Sequence, residues 1–184
     1  LLLIQRVKSR RLEDLDGLVK ILEEEILGYN LLPRVAIVAE NGTSSWQQLP
    51  AMDQIALARQ ADIMVGPSGN ELGLAAFMRE STWLVELMPQ AVKDPLKRWS
   101  PTGRYEVTNC MERINGNPGS LVGHVALRAQ VYHLCMNVNR GRFFEVQELQ
   151  HPHWRATPSL YIDFRALREV LALPLSVIQE DWKA

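Results

Sequence analysis

Four short apolar runs constrain this chain more than anything else in it. They are "LLLIQRV" (1–7), "RVAIVAE" (34–40), "DIMVG" (62–66) and "TWLVELM" (82–88). None alternates apolar with polar residues, as a strand with one wet face does. Such runs mark strands buried on both sides, the habit of parallel sheets. What separates them is helical. From Leu12 to Leu27, apolar residues fall at 12, 15, 18, 19, 22 and 26, which places them on one face of a helix. Asp14 and Asp16 suit the positive end of its dipole, and Gly28 and Asn30 suit its end. Pro50 fits the first turn of a second helix reaching about Gln60. Residues 70–78 form a third, short helix. The order βαβαβαβ predicts an α/β fold, a doubly wound and mostly parallel sheet covered on both faces.

The pattern then breaks. Residues 89–122 carry prolines at 89, 95, 101 and 118 and glycine turns such as "NGNPGS". An irregular stretch of that length far exceeds the usual connection of roughly 4–6 residues. It reads as an insertion within one domain spanning 1–184, of the kind used for lids or partner contacts. Beyond it the reading is a helix at about 123–138, a strand at 142–148, a loop "HPHWRATP", a strand at 160–164 and a helix at 164–173 stopped by Pro174.

The 184 residues suffice for a proper core, and the net charge of −1 offers no basic field for nucleic acid. Charge is uneven, though. Residues 1–92 hold 8 Lys/Arg against 12 Asp/Glu, and residues 93–184 hold 12 against 9. The second half could therefore present a basic contact face, or merely a varied surface. No apolar run reaches the roughly 18–20 residues of a membrane span. Cys110 and Cys135 fit no metal motif; they read as two buried thiols, or as a bridge if the compartment is oxidising. Asn41-Gly42-Thr43 is a glycosylation sequon, relevant only in a secretory setting.

Between the third and fourth strands lies "GPSGNELGLAAFM". A turn of this kind, opening a helix after a strand, offers backbone N–H groups to an anion. The stretch 61–89 resembles the signature of family 61 glycosyltransferases, in which an AD-hydrophobic-VG strand leads into PHGAGL, a short helix ending in FM or FL, and a strand ending VVELxP. The matching residues are Ala61, Asp62, Val65, Gly66, Pro67, Gly69, Leu72, Phe77, Met78, Val85, Glu86, Leu87 and Pro89. "QRVKSRRLEDLDGLVKIL" is similar to the family's arginine strand and loop, Gln54 matches a glutamine in the preceding helix, and the tail "VYHLCMNVNRGRFFEV…LYIDFRALREVL" is similar to its closing elements. The likeness covers nearly everything but 90–122.

It implies a Rossmann-like domain, the donor-binding half of a GT-B-type enzyme. The donor would be a nucleotide sugar such as a UDP-sugar, with no other cofactor and no metal required. By resemblance, Arg6 and Arg10 would neutralise the diphosphate, with Ser68, Gly69, Asn70 and Glu71 forming the turn beside it. The family setting implies the secretory lumen, and a repurposed domain implies an organellar complex.

Two positions depart from the signature. Ser68 replaces its histidine and Glu71 its second glycine. At an effective dielectric of 20, a carboxylate about 6 Å from a phosphate charge costs roughly 2–3 kcal/mol. A helix N-terminus returns only about 0.3–2 kcal/mol to an anion. A Glu71 facing the site would thus repel a diphosphate; otherwise it is a first-turn carboxylate suited to its own helix. The sequence reading is therefore a degenerate transferase-like domain serving as a structural or interaction subunit, its partners held by the 89–122 insertion and the basic second half. The alternative is an active donor-binding half whose base lies elsewhere.

No catalytic residue stands out. His124 and His133 fall half a turn out of phase on the expected helix, and His151 and His153 lack further metal ligands. Trp99, Tyr105 and Trp154 could stack on a base or pack locally. A dinucleotide-binding enzyme has the acid Glu40 in its favour, but the first strand–helix turn has no glycine.

Overall fold

The structure is a computed structural model describing residues 1–5, 11–33, 35–38, 50–89, 121–140 and 159–183. Among these residues are seven strands: β1 (Leu2–Ile4), β2 (Arg11–Leu12), β3 (Ala36–Val38), β4 (Ile63–Pro67), β5 (Trp83–Pro89), β6 (Tyr132–Arg140) and β7 (Ser159–Tyr161). The helices are α1 (Leu15–Gly28), α2 (Ala51–Gln60), α3 (Leu121–Arg128) and α4 (Phe164–Asp181), with a 3-10 helix over Asn70–Phe77. The sheet runs β2-β7-β6-β5-β4-β1-β3. All its pairings are parallel except β6 with β7. The four apolar runs are thus four adjacent parallel strands, in the order β5-β4-β1-β3.

Side chains on alternate positions feed two cores. Leu3, Val65, Val85 and Leu87 pack with Leu18, Leu22 and Ile26 of α1 and Leu167, Leu171 and Leu175 of α4. Leu2, Ile4, Met64 and Leu84 pack on the other side with Ala58 of α2, Leu72 and Ala75 of the 3-10 helix, and Val122 and Ala126 of α3. Helices therefore cover both faces, as expected for an α/β sheet. Each fully buried leucine here contributes about 1.5–3 kcal/mol relative to exposure.

Local chemistry explains the boundaries of α1. Asp14 caps it, accepting a hydrogen bond from the Gly17 N–H at 3.1 Å. Asn30 takes a left-handed conformation (φ 58°) just beyond its end. The expected end of the last helix was wrong. Pro174 does not stop α4, which continues to Asp181 with the proline buried inside it. A proline there forfeits one helical hydrogen bond, and the buried Leu171 and Leu175 on either side hold the helix together.

The expected helix at 123–138 is also corrected. It ends at Arg128, and Tyr132–Arg140 form β6. Gln130, at φ 57°, makes the turn. Cys135, on this strand, is disulfide-bonded, which overturns the reading as a free thiol; the only other cysteine in the sequence is Cys110. The strand expected at 142–148, the loop after it and nearly all of the 89–122 insertion lie outside the described residues. Among the described residues, no helix is long and apolar enough to cross a membrane.

Candidate functional site

The chain passes from β1 to β3 on one side of it and later to β4 on the other. At such a reversal of strand order, the crossing connections diverge and leave a crevice outside the carboxyl ends of the strands. The segments bordering it are those that follow Ile4 and Pro67. Described there are Gln5, just after β1, and the turn Ser68–Glu71.

Gln5 joins the end of β1 to β2. Its side-chain amide donates to the Leu12 carbonyl at 2.9 Å and accepts from the Leu12 N–H at 2.8 Å. One side chain thus copies a ladder rung with Leu12. Arg6 and Arg10 themselves lie outside the described residues.

The turn after β4 is tightly engaged with its own surroundings. Ser68 is buried, and its N–H donates to the Leu87 carbonyl at 2.9 Å, one rung past the Pro67–Leu87 pair. Gly69 has φ 167° and ψ 176°, an extended backbone open to any residue. The Leu72 N–H donates to the Gly69 carbonyl at 3.1 Å and closes the first 3-10 turn. Two of the amides in this stretch are therefore spent internally. Glu71 lies in that first turn, half-buried, with its Oε2 shielded from solvent. The cap position belongs to Gly69, and no side chain caps the helix. Asn70 opens the helix, its side chain outside what the structure describes.

The glycine that matters sterically is Gly66. A Cβ built there would lie 2.8 Å from the Ile4 Cβ and 3.0 Å from the Leu72 Cδ2. The missing side chain lets the 3-10 helix settle onto the sheet and sets the height of the turn above it.

Below the turn lies a feature that sequence reasoning missed. Glu86, in the middle of β5, is fully buried, and its Oε2 is 3.0 Å from the Nε2 of His133 on β6. The register aligns Gly66, Glu86 and Cys135 across β4, β5 and β6. These residues share the face of Leu84, under the 3-10 helix and α3. A buried carboxylate is costly unless paired, and the imidazole supplies a partner. The signal was present in "TWLVELM", where a single acid interrupts an apolar strand. His133 was hidden because its stretch read as helix.

At the opposite, amino end of the strands, the rings of Trp83 and Tyr132 stack at 4.6 Å with a 32° tilt. The Trp83 indole N–H is buried there without a partner among the described residues.

The expected site residues therefore divide. Ser68, Gly69, Asn70 and Glu71, consecutive in the sequence, follow the carboxyl end of β4, while Arg6 and Arg10 lie outside the described residues. His124 is exposed on α3, and His133 belongs to the sheet, so the two do not share a helix. His151 and His153 lie outside the described residues, as do Trp99, Tyr105, Trp154 and the Asn41 sequon. Among the described residues, no group of three or more His, Cys, Asp or Glu side chains could hold a metal. Compared with protein-family models and with curated proteins, the chain matches none.

Proposed function

We propose that this chain is a Rossmann-like domain of the glycosyltransferase type, akin to the donor half of a GT-B enzyme, that has lost its diphosphate seat and serves as a structural or interaction subunit. The observation carrying this reading is Glu71. Its carboxylate occupies the first turn of the 3-10 helix, half-buried, where the signature has glycine. The amides of Ser68 and Leu72 on either side are already spent within the protein. With this carboxylate turned to the crevice, a diphosphate arriving there would meet a negative charge at a cost of roughly 2–3 kcal/mol per phosphate charge near 6 Å. Partner contacts fall to the 89–122 insertion and the basic second half. The disulfide at Cys135 suits an oxidising compartment such as the secretory lumen.

Calorimetric titration with UDP and several UDP-sugars tests the proposal. No heat of binding is expected up to millimolar ligand. Micromolar affinity that disappears in Arg6→Ala and Arg10→Ala would overturn it. The combined change Ser68→His and Glu71→Gly should create or raise affinity for UDP by about tenfold or more, since 1.4 kcal/mol is a factor of ten. If the double variant behaves as the parent does, the electrostatic account of the turn fails.

A second reading has its own support. The reversal of strand order sets the turn after β4 beside the carboxyl end of β1, the disposition an active donor-binding half would use. Under that reading a nucleotide sugar binds, and the titration above separates the two.

A further inference from the structure

We draw no further inference here: the strongest candidate, the buried Glu86–His133 pair between β5 and β6 beneath the 3-10 helix and α3, has its carboxylate sealed inside the sheet packing, and nothing among the described residues presents it to a ligand.

Discussion

On the face covered by α1 and α4, the buried cluster is built from Leu, Ile, Val, Met and Trp side chains. On the face under α2, the 3-10 helix and α3, the layer leans on small residues, with Ala58, Ala61, Ala75 and Ala126 buried and Gly66 beneath Leu72. That second face also holds Glu86 and its hydrogen bond to His133. The first face is held by area and tolerates slight misplacement, because hydrocarbon contact is non-directional. The second is held by close approach and by one directional polar contact. The candidate site rests on the second face, so the position of its turn depends on the less forgiving of the two packings.

Four substitutions probe that difference. His133→Leu should have the largest effect, because it removes a 3.0 Å partner from a fully buried carboxylate; the loss of folding free energy should be about 3–5 kcal/mol. Urea denaturation would read it as a lower midpoint. Adding Glu86→Leu to that variant should restore much of the stability, since apolar replacement of a buried pair is often neutral. A double variant as weak as the single one would show that the pair does not hold this face together. Next comes Leu171→Ala on the other face, which should cost about 2–4 kcal/mol through lost burial and a cavity. Its effect should be confined to stability. The smallest is Gly66→Ala, where one methyl must displace Ile4 or Leu72 at a cost of about 1–3 kcal/mol. Here hydrogen exchange is the sharper measurement, with faster exchange expected at the Ser68 and Leu72 amides. Unchanged exchange at both would dissociate the turn from the packing beneath it.

How much of this could be read from the chain itself differs between elements. The strands β1, β3, β4 and β5 announced themselves as unbroken apolar runs, and α1 announced itself by spacing, with Asp14 and Asn30 marking its ends. Strand β6 did not. Its inward residues Leu134, Met136 and Val138 alternate with His133 and Cys135, but the turn before it is made by Gln130 in a left-handed conformation. Glycine is the residue that usually signals such a turn, and its absence let the helical spacing run on through the strand. Pro174 misled in the opposite sense. A residue that ordinarily terminates helices was retained because its neighbours on α4 are anchored in the core. The contiguity of Ser68 to Glu71 was legible because a strand and a helix flank them. The close fit of Leu72 over Gly66 was not, since it is a tertiary contact without a local signature.

The double hydrogen bond from Gln5 to Leu12 has an implication for the rim of the sheet. Strand β2 stands last in the strand order and pairs with β7. An edge strand offers its backbone groups to any passing chain. At Leu12 the N–H and the carbonyl are both occupied by the Gln5 side chain, so a single amide closes that rung to a foreign strand, and Gln5→Ala would reopen it.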